Sequence, residues 1–85
     1  MADKAHLHVK IIDPNKVVFE GETEYVMAPG KQGALGIMPN HTPMFAELVK
    51  GDLYIAYPSE QVIPIDSGIL KVRGDDVIIL IGLGD

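Results

Sequence analysis

Apolar and polar residues alternate along most of this chain with a period of two. From His6 to Ile12, Leu7, Val9 and Ile11 alternate with His6, His8 and Lys10, the signature of a strand with one buried face. Asp13-Pro14-Asn15-Lys16 is turn chemistry, with a proline corner and an Asn that tolerates left-handed φ. Val17-Val18-Phe19 then predicts a short second strand, broken at Gly21. Glu22 to Ala28 reads as a third, with Val26 and Ala28 on one face and Tyr25 and Met27 on the other. Leu35 to Met38 is a short strand inside a glycine-rich stretch, and Met44–Val49 and Leu53–Tyr57 flank Lys50-Gly51-Asp52, which predicts a hairpin. After a turn at Pro58-Ser59-Glu60, Val62–Ile65 carries Pro64; proline cannot donate to a ladder, so this strand belongs at an edge or a bulge. Asp66-Ser67-Gly68 bends the chain, and Ile69–Arg73 and Val77–Ile81 form a last hairpin around Gly74-Asp75-Asp76. The sum is nine short strands and no helix. Strands at such close spacing predict an all-β sandwich or barrel rather than a parallel sheet with crossover helices.

Composition narrows this to one domain over residues 1–85, close to the smallest size that a single core supports. The chain is 47% hydrophobic and has no cysteine, so neither disulfides nor a thiolate zinc site staples it. A net charge of -5 with seven scattered basic residues argues against binding nucleic acid, which needs clustered Lys and Arg. The longest apolar run, Val77–Ile81, is far short of the roughly 20 residues that span a bilayer. The first residues carry no secretory or transit pattern, so a cytoplasm-like compartment is expected. That apolar run changes the picture in another way, because it is apolar on both faces. An antiparallel sheet keeps one face wet, so Ile78 and Leu80 must be covered by the chain or by a partner. Tyr25 and Met27, which also point away from the core, pose the same question.

Candidate chemistry is sparse. Gly30 to Pro43 places three glycines and two prolines in fourteen residues, which specifies a shaped loop that presents a surface. Gly30-Lys31 is not a phosphate loop: Gln32 stands where a Ser or Thr is required, and no helix follows. His6 and His8 share a strand face and His41 could in principle join them, but three ligands at unrelated depths are weak ground for a metal site. His41, Asp66 and Ser67 are the residue types of a nucleophilic triad, but Asp-Ser-Gly between strands reads first as a turn. His41, between two prolines, is either a contact residue or a histidine bonded within its own loop. The acidic residues are dispersed, with no pair spaced for glycoside chemistry or a calcium loop. No cofactor or metal is expected.

Gly33-Ala34-Leu35-Gly36-Ile37-Met38-Pro39-Asn40-His41-Thr42-Pro43 closely resembles the glycine-rich segment of the epsilon subunit of F-type ATP synthases, Gly-Glu-Leu-Gly-Ile-x-Pro-Gly-His-x-Pro. Leu7-His8-Val9, Val18-Phe19-Glu20-Gly21 and Asp66-Ser67-Gly68-Ile69-Leu70-Lys71-Val72 are similar to other stretches of that family, in the same order. The resemblance therefore covers essentially the whole chain. It implies a flattened β-sandwich of about nine to ten short, mostly antiparallel strands, in a non-catalytic subunit of the central stalk, or rotor. Such a subunit links the gamma subunit to the c-ring and couples ion translocation to ATP synthesis. It lies at the cytoplasmic face of a bacterial inner membrane, or less readily the stromal side of a plastid membrane, and reaches the membrane only through the complex. By the same resemblance, Gly33, Ala34, Leu35, Gly36 and His41 face the c-ring, while one sandwich face, with Tyr25, Met27, Ile78 and Leu80 as its candidates, packs on gamma.

Two departures qualify the resemblance. Ala34 stands where the family often carries Glu, so a charge-assisted contact to basic ring side chains is not carried over, and recognition must rest on shape, backbone and His41. Members of the family also continue into a pair of helices that inhibits ATP hydrolysis and in some cases binds ATP, whereas this sequence stops at Gly82-Leu83-Gly84-Asp85. Coupling without that brake is the expectation. The alternatives from the residues alone are a free-standing β-sandwich that binds a protein or carbohydrate, and a small hydrolase using His41 and Ser67.

Overall fold

The computed structural model describes residues 6–40, 43–56 and 59–82. These form β1 (Leu7–Ile12), β2 (Val17–Thr23), β3 (Val26–Gly30), β4 (Gly33–Ile37), β5 (Met44–Leu48), β6 (Gly51–Ile55), β7 (Gln61–Ile65), β8 (Gly68–Arg73) and β9 (Asp76–Ile81). All nine join one sheet in the order β2-β1-β9-β8-β5-β3-β6-β7, with β4 paired to the other edge of β3. Its ladders are antiparallel except that of β1 with β9, where Val9 lies beside Val77 and Ile11 beside Ile79.

Register explains how one sheet makes two layers. Leu48 of β5 faces Gly68 of β8, and Gly51 of β6 faces Ile65 of β7, three steps along on each side, so the pairing never slips. β5–β6 and β7–β8 are thus the two arms of one long hairpin, bent over at Val49-Lys50 and Asp66-Ser67. The hairpin expected around Lys50-Gly51-Asp52 does not form, because the chain bends there instead of reversing. β3 accounts for the bend. Gly30 opposes Leu48 while Met27 opposes Tyr54, so six steps of the β5–β6 arm run against three of β3. The surplus residues bulge out, and a bulge bends its strand and increases its twist. The result is a curled half-barrel rather than a flat sandwich, since β3 is hydrogen-bonded into both halves. Among the described residues no ladder joins β7 to β2, and the curl stays open.

Two other boundaries differ from expectation. β2 continues through Gly21, which sits opposite Val9, because a missing side chain leaves the ladder hydrogen bonds in place; the break comes at Glu24-Tyr25. Much of the glycine-rich stretch is a strand, β4, in full register with β3 from Val26 opposite Ile37 to Gly30 opposite Gly33.

The core follows the alternation. Leu7, Val9 and Ile11 from β1, Val26 and Ala28 from β3, Leu53 and Ile55 from β6, Leu70 and Val72 from β8, and Val77 and Ile79 from β9 are all buried in one cluster. Each such Val, Leu or Ile contributes about 1.5–3 kcal/mol of burial. Both halves share this core, so their other faces point outward.

Candidate interaction surfaces

The β3–β4 hairpin turns at Lys31-Gln32, and the unusual backbone rotation falls on Gly33, with φ at 130°, which a side chain would strain. Its tip is tied to β5. Lys31 N–H donates to the Glu47 carbonyl at 2.9 Å, and its Nζ lies 3.6 Å from Glu47 Oε1. The ion pair is solvent-exposed, which limits it to about 1 kcal/mol or less. A groove of about 290 Å³ opens beside it, lined in part by Lys31, Leu35, Phe45 and Glu47. Of the residues expected to face a ring, Gly33, Ala34 and Gly36 are exposed, while Leu35 turns inward and packs on the core. His41 lies outside the described residues.

Tyr25 and Met27 belong to the β4-β3-β6-β7 half. Cross-strand neighbours build an outward row there, Gly36–Met27–Tyr54–Val62, with Met27 39% and Val62 59% exposed. The Tyr25 ring covers Gly36 so closely that a Cβ there would sit 3.0 Å from the Tyr25 hydroxyl. Ile78 and Leu80 lie on the other half. Their rows are Phe45–Lys71–Ile78–Lys10–Glu20 and Glu47–Ile69–Leu80–Ile12–Val17. Ile78 is 40% and Phe45 72% exposed. The four residues expected on one gamma-facing surface thus form two surfaces, separated by β8 and β5 in the sheet. The row of the first holds no charged residue; the rows of the second interleave Lys71, Lys10, Glu20 and Glu47 with its apolar groups.

Phe45, Tyr54 and Val62 were not picked out from the sequence. Parity is the signal for Phe45, which shares the outward side of β5 with Glu47. Tyr54 donates its hydroxyl hydrogen to Glu60, and that bond, partial burial and the charges of Glu60 and Tyr25 hold its pKa above the ordinary phenol value.

At the end where β4 leaves the sheet, Asn40 adopts φ 64° in the place where the resembled pattern carries glycine. Its backbone N–H donates to Asp75 Oδ1 at 2.7 Å, and the Asp75 carbonyl accepts the N–H of His8 at 2.7 Å. No spacing in the sequence announces a contact over 35 residues.

The other chemistries find little support. His8 Nε2 lies 3.6 Å from Glu20 and His6 Nδ1 4.0 Å from Glu22, and among the described residues no three candidate ligands are grouped to hold a metal ion. Ser67 Oγ is buried without a hydrogen-bond partner, so the hydroxyl neither caps its turn nor meets solvent as a nucleophile must.

Comparison with known proteins agrees with this architecture. In solved structures, a chain of the mitochondrial ATP synthase of Euglena gracilis, in an assembly of OSCP, F1 and c-ring, superposes with a TM-score of 0.85 at 15% identity, over 95% of this chain and 53% of the other. A chain from the central stalk and c-ring of the Tetrahymena thermophila mitochondrial enzyme gives 0.77 at 18% identity, over 94% and 66%. At such identities the likeness is one of fold. Sequence relatives are closer: ATP synthase epsilon chains of Brevibacillus brevis and Bordetella avium are 38% and 37% identical over 85% and 89% of this chain. The chain spans a little over half of their length, 56% and 55%. The family model described as the β-sandwich domain of the ATP synthase delta/epsilon chain matches residues 6–82. The chain belongs to that family.

Proposed function

We propose that this chain is a non-catalytic rotor domain of an F-type ATP synthase, which links the gamma subunit to the c-ring so that ion flow through the ring is coupled to ATP synthesis. It works at the cytoplasmic face of a bacterial membrane and is held there only through the complex. The observation that carries this reading is the outward row Met27–Tyr54–Val62, with Met27 and Val62 exposed, on a chain whose core is already complete. A domain that fills its own core and still presents apolar surface on its outer faces is suited to sit between partners. Membership of the family and the fold likeness to chains from assemblies that contain a c-ring support it.

In this reading Gly33, Ala34 and Gly36 meet the ring, with His41 in the following loop. Tyr25 with Met27, or Ile78 with Leu80, meets gamma. The two pairs lie on different halves of the sheet, so the surfaces separate by mutation. Met27→Asp and Ile78→Asp are each co-expressed with the cognate gamma subunit and passed over a sizing column. The wild-type chain is expected to elute with gamma at equal stoichiometry, and only one of the two variants to lose it. A wild-type chain that elutes alone would sink the proposal.

A further inference from the structure

We infer that Asp75 is a positioning residue for the ring-facing strand, holding the end of β4 to the opposite half of the domain; this rests on the stalk role proposed above. β4 pairs on one side only, with β3. It is therefore the element of the proposed ring surface with the least ladder support. Beyond that ladder and the packing of Leu35 and Ile37 on the core, it is tied to the rest of the domain at its two ends. Near its start, the hairpin turn bonds to β5 through Lys31 and Glu47. Beyond its finish the chain leaves the ladder, and the Asn40 N–H has no strand to donate to, since β4 ends at Ile37 and β5 begins at Met44.

Asp75 supplies the acceptor. At 2.7 Å the bond is short for an amide and a carboxylate, as charge-assisted bonds are. The same residue anchors itself, because its carbonyl receives the His8 N–H of β1. The β8–β9 turn thus joins the first strand of the sheet to the exit of β4 through the two acceptors of one side chain and one peptide unit. Asn40 holds left-handed φ, a conformation that Asn tolerates but that leaves the chain free to relax elsewhere once its N–H is released. Removing the carboxylate leaves the His8 bond untouched, so the arm toward β4 is lost selectively. Gly33, Ala34 and Gly36 keep their ladder to β3, but the exit of their strand is no longer tied to the opposite half.

The test compares the wild-type chain, Asp75→Ala and Asp75→Asn. Amide hydrogen exchange read by NMR is expected to show Asn40 exchanging about tenfold faster or more in D75A, with the Lys31 amide, bonded to Glu47 at the other end of β4, unchanged and the thermal midpoint lowered by about 10 °C at most. D75N keeps an oxygen that can accept the bond and is expected to restore much of the protection. In a synthase reconstituted with each chain, D75A is expected to bind gamma as the wild type does yet pump fewer ions per ATP hydrolysed, and D75N to recover pumping. Equal exchange at Asn40 in D75A and wild type, or equal pumping by the two, would overturn the inference alone. A wild-type chain that neither binds gamma nor supports pumping would instead overturn the stalk reading on which it rests.

Discussion

Adjacent isoleucines on β9 offer a sharp test of which face is core and which awaits a partner. Ile79 has no exposed surface and lies between Leu70 of β8 and Ile11 of β1, both equally buried. Truncation to Ala removes three carbons, about 2.4 kcal/mol at 0.8 per buried methylene, and the cavity left behind raises the cost to about 3–4 kcal/mol. For a domain of this size, with about 4–13 kcal/mol of total stability, that is a large share. The thermal midpoint should fall by roughly 12–32 °C, at about 4–8 °C per kcal/mol. Ile78 is 40% exposed on the outward face, between Lys71 and Lys10. Its truncation opens no enclosed cavity and should cost about 1 kcal/mol, hence about 4–8 °C. Thermal and urea unfolding of the two variants, followed by circular dichroism, measures both. If Ile78→Ala proved as destabilising as Ile79→Ala, the face assignment of β9, and the case for partner coverage of Ile78, would be wrong.

Three more outcomes are expected. Ser67→Ala deletes a buried hydroxyl that has no partner, so it should leave stability unchanged or raise it by about 1 kcal/mol, seen as a higher urea midpoint; a clear loss would mean the hydroxyl does bond. Tyr54, hydrogen-bonded to Glu60, should titrate above the ordinary value near 10 in a spectrophotometric titration, and Glu60→Gln should bring it back. Because the folded-state pKa is the raised one, the stabilisation is complete at neutral pH and is lost as pH rises through that value. Ala34→Glu places a carboxylate on the exposed face of β4; in a reconstituted synthase it should strengthen coupling if basic ring groups are in reach, and unchanged coupling would mark the contact as steric.

How far the fold was legible depended on whether a local signal chose the partner. Leu7, Val9 and Ile11 declare their buried face by alternation alone, and all three are core. Lys50-Gly51-Asp52 declares a change of direction but not its kind. The choice between reversing and bending was made by β3, whose residues lie some twenty positions earlier and whose pairing with both β5 and β6 has no trace in the turn itself. Gly21 misled for a related reason, since glycine weakens a strand without ending one whose ladder is held by β1. At the interaction surfaces the residue types were legible and their grouping was not. Met27 and Ile78 both read as outward, but only the curl of the sheet puts them on different surfaces. Asn40 and Asp75 form the extreme case, a contact between two loops that no periodicity connects.

The parallel pairing of β1 with β9 has a kinetic side. His8 and Asp76 are neighbours in that ladder though 68 residues apart, and closing a loop of that length costs about 4 kcal/mol of chain entropy before any bond between them forms. The long bent hairpin of β5–β6 and β7–β8 meets its partners at far shorter range and is the natural place for folding to start. β1 and β2 alone make a two-stranded ribbon, which is marginal in water. On a translating ribosome, then, the strand of this sheet that emerges first has no seat until the ninth has followed it out.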